Sequence, residues 1–299
     1  MKVSILTPYY NGGKYIEAAI DSVLSQYYQN YEMIIVNDAS PDNPDDLLHQ
    51  LQKKDERIKV YHHRENKGIA EARNTAIKNA KGDCFALLDQ DDMWLPDKLK
   101  MQIKVFEENP HVGLVFSNYF RTDEVGIITG KGEKCHRIVA DTDEQTLINL
   151  FMKNRITACS VAFRRKCVET LGAFRADLKG GTDDYEMWLR IAGSYSLKYI
   201  NLPLVKRRSH GENTSGRFME QGMLDHILIM EELSNLYPFL AKYKAQRLSK
   251  IFYNLGRYYN KRHNNADARV YFKKMKELEP LNIKPYIGIL KSFFHNIRI

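Results

Sequence analysis

The chain has 299 residues, of which 43% are hydrophobic and 27% charged, which excludes collagenous, disordered and low-complexity classes. It is long enough for one large domain with an appendage, or for two domains. The net charge of +8 is uneven: residues 240–299 hold 14 Lys and Arg against 3 Asp and Glu, the rest 31 against 34, and no DNA- or RNA-binding motif accompanies the basic stretch.

The first 120 residues alternate strand and helix signals. Short apolar or β-branched runs at 3–7, 31–37, 58–62, 84–88 and 112–117 read as strands. Helical patterns lie between them at 14–26, 44–54, 69–80 and 96–108; in the first, Ile16, Ala19, Ile20, Val23 and Leu24 share one face. Such alternation predicts a mostly parallel sheet covered on both faces. From about residue 123 the rhythm breaks. The pattern then predicts a hairpin at 125–130, a helix at 143–153, a strand at 159–163 and a short helix to Leu171. A helix at 183–192 and a strand at 197–206 with Pro203 follow. Beyond Met219 all is helix, so the expected boundary divides domain 1–218 from helical region 219–299.

Four cysteines (84, 135, 159 and 167) form no C-x-x-C pair, so neither zinc nor a disulfide framework is expected and a reducing cytosol is the simplest location. The N-terminus runs directly into a strand with no leader pattern. No apolar run approaches the ~20 residues needed to span a bilayer.

Five clusters carry chemistry. Thr7-Pro8-Tyr9-Tyr10-Asn11-Gly12 ends the first strand in a loop able to stack on or hydrogen-bond a base. Asn37-Asp38-Ala39-Ser40 ends the second. There an acid can accept from a uracil imide or a ribose hydroxyl, while Ser40 and Asp42 suit helix capping. Asn66-Lys67-Gly68 opens a helix with Arg73 one turn inside, which favours phosphate; the plainer reading pairs Arg73 with Glu71 or Asp89. Asp89-Gln90-Asp91-Asp92 ends the apolar run 85–88. A buried strand cannot hold three acids without positive charge nearby, and carboxylates there suit a hard divalent cation and a diphosphate. Helix capping near Pro96 would explain one of them. Gly180-Gly181-Thr182-Asp183-Asp184 sets two acids at a helix start, as caps or as a general base.

In this order the motifs T-P-Y-Y-N, N-D-A-S, N-K-G-I-A-E-A-R-N, L-L-D-Q-D-D-M-W-L-P and D-D-Y-E-M-W-L-R resemble a family 2 glycosyltransferase over about residues 1–215. The resemblance implies the GT-A nucleotide-diphospho-sugar transferase fold, a mostly parallel Rossmann-like sheet flanked by helices, followed here by an all-helical extension. It implies metal-dependent, inverting transfer from a nucleotide sugar, UDP-linked by preference, to a hydroxyl of a glycan or lipid-linked acceptor in surface polysaccharide synthesis. Thr7, Pro8, Tyr9, Asn11, Asp38, Asn66, Gly68, Arg73, Asp89 and Gln90 would hold the donor. Asp89 and Asp91 match the D-x-D pair that binds Mn²⁺ or Mg²⁺, with Asp91 the direct ligand; His210 matches a His near metal or diphosphate. Asp184 matches the catalytic base, and Asp183 stands where Glu is usual. Residues 125–154 and 207–218 are expected to shape the acceptor site.

Two other classes remain at this point. A sugar-phosphate nucleotidyltransferase should carry an Arg in the loop after the first strand, and 7–14 has none. A non-catalytic scaffold would work through the helical tail. In that tail Phe252, Leu255, Gly256, Tyr259, Ala268, Phe272 and Pro280 resemble the spacing of a tetratricopeptide repeat near 250–280, with Met275 where a small residue is usual. A further helix at 283–294, with Tyr286, Ile289, Leu290 and Phe293 on one side, is expected to cover its open face. The tail is a peptide-binding or dimerising surface, a basic contact for anionic membrane, or a cap that finishes the fold.

Overall fold

The computed structural model describes residues 1–132, 135–211 and 218–293. By packing density the chain divides into two units: Met1–Asp177 with Asp183–Asn213, and Leu178–Thr182 with Thr214–Ile299.

In the first unit β1 (Val3–Tyr9), β2 (Tyr31–Asn37), β3 (Ile58–His62) and β4 (Cys84–Leu87) lie parallel in the order β3-β2-β1-β4. Helices α1 (Ile16–Leu24), α2 (Asp45–Lys54) and α3 (Ile69–Asn79) make the crossovers. β2 and β4 are buried along their whole length, because helices cover both faces and leave no polar side to alternate. All four strands therefore deliver their carboxyl ends to one edge, the ligand-binding edge of an open α/β sheet.

Beyond β4 come β5 (Met93–Trp94), α4 (Lys98–Glu108), β6 (Val112–Thr122), β7 (Ile128–Lys131) and α5 (Asp143–Met152). Then follow β8 (Ala162–Arg164), α6 (Arg165–Leu171), α7 (Asp183–Ala192) and β9 (Ser196–Arg208). Sheet order continues β4-β8-β6-β9-β5, with β7 on β6. β8 runs antiparallel to both neighbours, whereas β9 runs parallel to β6.

Several elements differ from the sequence expectation. Residues 158–160 form a single 3-10 turn, so β8 begins only at Ala162. β6 and β9 are longer than predicted because they pair along almost their full length, and tertiary pairing extends strands past the apolar run that nucleates them. The hairpin at 125–130 forms as β7 folding back on the extended end of β6. β5 is too short to leave a periodic signal, and only its pairing with β9 defines it.

One buried residue is at odds with its surroundings. Lys98 is fully buried; its Nζ lies 3.9 Å from the Trp94 ring centroid and donates to Gln102 Oε1 at 2.8 Å. Burial lowers its ammonium from 10.5 to about 7.

The second unit contains α8 (Met219–Leu236), α9 (Ala241–Lys261), α10 (Asn265–Leu278) and α11 (Ile283–Lys291). Asn264 caps α10 through Asp267 N–H, and Asn282 caps α11 through Lys284 N–H. Tyr259 of α9 stacks on Tyr271 of α10 with centroids 5.5 Å apart. The expected cover by Tyr286, Leu290 and Phe293 is not what α11 provides. It buries Pro285 and Gly288, and those three side chains are exposed. The cause is size: a Cβ on Gly288 would sit 2.6 Å from the Phe272 ring, so only glycine lets α11 approach α10 on this side. Residue 294 of the expected helix lies outside the described residues. No helix among the described residues is long and apolar enough to cross a membrane.

Lys98 generates a stability prediction. Between about 7 and 10.5 the unfolded chain holds a proton that the folded chain has released, so stability rises with pH across that window. Lys98→Met is expected to match or exceed the parent at pH 7, by about 1–3 kcal/mol, and to lose that rise. Urea unfolding at neutral and alkaline pH checks both. Equal slopes in the two proteins would show that Lys98 is not the titrating group.

Candidate active site

The loop after β1 is built largely from its own backbone. Tyr9, which the sequence placed toward the donor, turns its ring into the core, and its phenol donates to Asp42 Oδ2 at 2.6 Å. Burial, then the Asp42 carboxylate, pushes that phenol well above its ordinary value. Tyr10 is exposed instead. Its backbone is fixed on both sides by Gln90: Tyr10 N–H donates to Oε1 at 2.8 Å, and Nε2 donates to the Tyr10 carbonyl at 2.8 Å. Gly12 makes room for this bridge, since a Cβ there would stand 2.2 Å from Gln90 Oε1. Asn11, at φ +53°, donates its N–H to Ser40 Oγ at 2.6 Å. Pro8 is half-buried, and Thr7 is buried with its Oγ1 unpartnered. Ser40 and Asp42 do not cap α2: Asp42 accepts from Tyr9, Gly13 N–H and Ser40, so both residues serve the β1 loop.

Asp38 is buried at the end of β2. Its Oδ1 accepts from Lys67 N–H at 2.9 Å and its Oδ2 from Gly68 N–H at 2.8 Å. His63 Nδ1 lies 2.6 Å from Oδ1, and His63 Nε2 lies 2.8 Å from Thr75 Oγ1. Asn66 donates to the Asp38 carbonyl at 3.3 Å. The carboxylate thus clamps the loop that opens α3. His63, which completes the clamp, gave no signal of its own in the sequence.

Arg73 joins two distant acids. It is 2% exposed; Nη1 donates to Asp183 Oδ2 at 2.8 Å and Nη2 to Asp89 Oδ1 at 3.0 Å. Its guanidinium lies 5.6 Å from the Phe174 ring centroid. Burial opposes the charge, but Asp183, Asp89 and Asp184 outweigh it and hold the group firmly protonated. Of the two acids in the plainer reading, Asp89 is a partner and Glu71 is not, and Arg73 is buried rather than on the surface. Asp184, next to Asp183 at the start of α7, is half-buried and, among the described residues, accepts only from its neighbour Tyr185 N–H. Burial, then the negative charge of Asp183, raises its carboxyl to about 7, with Arg73 pulling the other way. Among paired acids, the partly accessible one with raised proton affinity is the one suited to accept a proton.

The remaining acids face the end of β9. Asp91 Oδ2 lies 2.8 Å from His210 Nε2, and the His210 ring stacks on Tyr15 with centroids 4.9 Å apart. Asp92 is buried and accepts from Arg208 N–H at 2.8 Å. Arg208 Nε donates to the Asp91 carbonyl at 2.9 Å, Nη1 donates to the Glu124 carbonyl at 2.5 Å, and the guanidinium covers the other approach to Tyr15. Burial, then Asp89, raises the Asp91 carboxyl, with His210 opposing. Tyr15 and Glu124 escaped sequence reasoning, and Arg208 was expected only as part of the acceptor region 207–218; nothing in their spacing links residues 15, 124 and 208. Of the expected acceptor region, residues 133–134 and 212–217 lie outside the described residues.

Among the described residues no three His, Cys, Asp or Glu side chains form a closed cage. Asp91 and His210 nevertheless meet beside Asp89, and the raised proton affinity of Asp91 marks a site short of positive charge. Hard cations that bind diphosphates usually take one or two carboxylates and draw the rest from phosphate and water. The residues fit that kind of ion.

Residues 4–171 match the model of glycosyl transferase family 2. The chain belongs to that family. It is 30% identical over 257 residues to an Escherichia coli enzyme named UDP-Glc:alpha-D-GlcNAc-diphosphoundecaprenol beta-1,3-glucosyltransferase, covering 85% of this chain and 91% of the other. It is 48% identical over 106 residues to a putative teichuronic acid biosynthesis glycosyltransferase of Bacillus subtilis, covering 36% of this chain and 42% of the other. Relatives in Rickettsia differ in length: the chain spans 80% of a glycosyltransferase of R. typhi but only 35% of one from R. bellii. Among solved structures, Staphylococcus aureus TarS 1–349 in complex with UDP-GlcNAc superposes with a TM-score of 0.70 at 17% identity, over 98% of this chain and 89% of that one. The fold is GT-A, and the chain is a glycosyltransferase rather than a nucleotidyltransferase or a scaffold.

The family member's buried bridge is directly testable. Arg73→Met strands two carboxylates, so urea unfolding is expected to show a loss of about 3–5 kcal/mol, the usual cost of breaking a buried pair. A loss below about 1 kcal/mol would mean the bridge carries no structural weight.

Proposed function

We propose that this chain moves a sugar, with inversion, from a nucleotide-diphosphate sugar to a hydroxyl of a glycan or lipid-linked acceptor, in surface polysaccharide synthesis. UDP is the preferred nucleotide. The named activity of the E. coli relative supports the donor and acceptor class, because the alignment covers nearly all of both chains. The observation that carries the reading is the Arg73 bridge, which brings the acids of 89–92 and 183–184 to one place.

In this reading the backbone-built loop 7–12, the clamped loop 66–68 and Gln90 bind the nucleotide. Asp38 acts there through the loop it holds. Tyr9 likewise acts by bracing Asp42, and Tyr10 is the aromatic residue available to the donor. Asp91 with His210, and Asp89, would hold Mg²⁺ or Mn²⁺. Such an ion would neutralise the negative charge of the diphosphate. Arg73 adds fixed positive charge at the same place and pairs with Asp183. Asp183 in turn raises the proton affinity of Asp184. Asp184 accepts the proton of the acceptor hydroxyl as its oxygen bonds to the anomeric carbon, while the bond from that carbon to the diphosphate oxygen breaks and the nucleoside diphosphate leaves. One displacement assisted by one base inverts the configuration. Arg208 and Glu124 fix the Tyr15 ring against which His210 rests.

Asp184→Asn should retain donor affinity by calorimetry and lose about 10²–10⁴ in transfer rate. Undiminished turnover would remove Asp184 as the base. For the parent, kcat/KM should fall on the acid side of about pH 7, because the base must be unprotonated. Asp91→Ala should abolish the gain in UDP affinity that Mn²⁺ confers. An unchanged titration with Mn²⁺ would take Asp91 out of the metal site.

A further inference from the structure

The helical unit holds a cavity of about 410 Å³ that plays no part in the transfer reaction. Arg257 and Lys261 of α9 and Lys284 and Lys291 of α11 surround it, and Tyr253 and Phe272 line its floor. No acid lines it, and none of its four cations has an acidic partner among the described residues. The guanidinium of Arg257 and the ammonium of Lys284 each sit 5.7 Å from the Tyr253 ring centroid, so two of the charges gather at one aromatic ring. Residues 241–293 carry 13 Lys and Arg against 3 Asp and Glu.

Beside this cavity the outer side of α11 is apolar and uncovered. Ile283 is 69% exposed, Leu290 58% and Phe293 62%, and Leu281 just before the helix is fully exposed. Lys284 and Lys291 are set among them. A surface of this composition must meet something both anionic and apolar. A second copy of the same face fails on charge, since it would oppose two strongly basic surfaces. Anionic phospholipid satisfies both demands: phosphates for the cations, and the acyl boundary for Ile283, Leu290 and Phe293.

We propose that the helical unit docks on anionic phospholipid bilayers, with a lipid phosphate in the basic cavity and the apolar side of α11 at the acyl boundary. The helix is nine residues long, so it lies in the interface and does not span it. Docking is independent of the reading of the active site and is measured without sugar transfer.

The test is co-sedimentation of the full chain with vesicles of phosphatidylcholine, with and without phosphatidylglycerol. Binding is expected only with phosphatidylglycerol and should weaken with added salt. Arg257→Ala/Lys284→Ala/Lys291→Ala should lower partitioning by roughly 100-fold, at about fivefold per cation. Lys284→Arg/Lys291→Arg should retain it. Leu290→Ser/Phe293→Ser should lower it by roughly tenfold, because apolar burial is lost. Circular dichroism verifies that each variant keeps its helix content. Equal binding to pure phosphatidylcholine, or no binding to either vesicle, would overturn the proposal. So would full displacement by inorganic pyrophosphate at the phosphate concentration of the vesicles, which would assign the cavity to a soluble phosphate instead.

Discussion

The buried guanidinium of Arg73 is the interaction on which the active-site edge depends. It reaches Asp89 at the end of β4 and Asp183 at the start of α7, two acids 94 positions apart in the chain. Asp183 is buried and would not be tolerable there alone, because an uncompensated charge out of water costs several kcal/mol. A buried pair is weak evidence for net stability, since desolvation offsets most of the attraction. What the bridge does provide is position. Its planar fork donates to two carboxylates in a fixed geometry, which a flexible ammonium would not. The start of α7 is thereby tied to the carboxyl edge of the sheet.

That tie explains how six aspartates in one region come to differ. Asp38 spends its oxygens on backbone N–H groups and orders a loop. Asp92 accepts the Arg208 N–H and is sealed. Asp89 and Asp183 share Arg73. Asp91 meets His210 and Asp184 accepts the Tyr185 N–H; both are half-buried and have raised proton affinity. Side-chain chemistry is the same in all six; neighbours and solvent access separate their roles. The proposed division between a cation-holding acid and a proton-accepting acid follows from that separation.

The helical unit obeys a different constraint. Gly256 and Gly288 both lie against Phe272, where any Cβ would collide, so one aromatic ring sets how closely three helices pack. Burying the glycine side of α11 leaves its larger side chains outside. The exposed apolar surface is thus a by-product of tight packing on the opposite side, and the lysines around it give it a chemical preference.

How much of this was legible beforehand differs by level. The four parallel strands, their helices and the acidic run after β4 were readable, because a doubly covered sheet needs continuous apolar runs and its ligand edge tolerates charge. Asp89, Asp91, Arg73, Asp184 and His210 were picked out by residue type and order. Their partners were legible only in part: Arg73 was read toward phosphate, or toward Glu71 or Asp89, of which Asp89 is a partner, and Asp183 was unconnected to it. Tyr9 was assigned outward because an aromatic in a loop is ambiguous, and only the sheet pleat decides that it points inward while Tyr10 does not. The meeting of Tyr15, Glu124 and Arg208 stayed invisible, since it depends on where β9 ends and the β6–β7 hairpin returns. The side of α11 that faces inward was misread for a related reason: hydrophobic spacing names the larger residues, whereas close approach selects the smallest. Local periodicity and composition thus determined the elements and the acids at their ends. Which acid is paired, which is sealed and which remains open was decided by contacts between segments far apart in the chain, and spacing along a sequence does not encode distance across a fold.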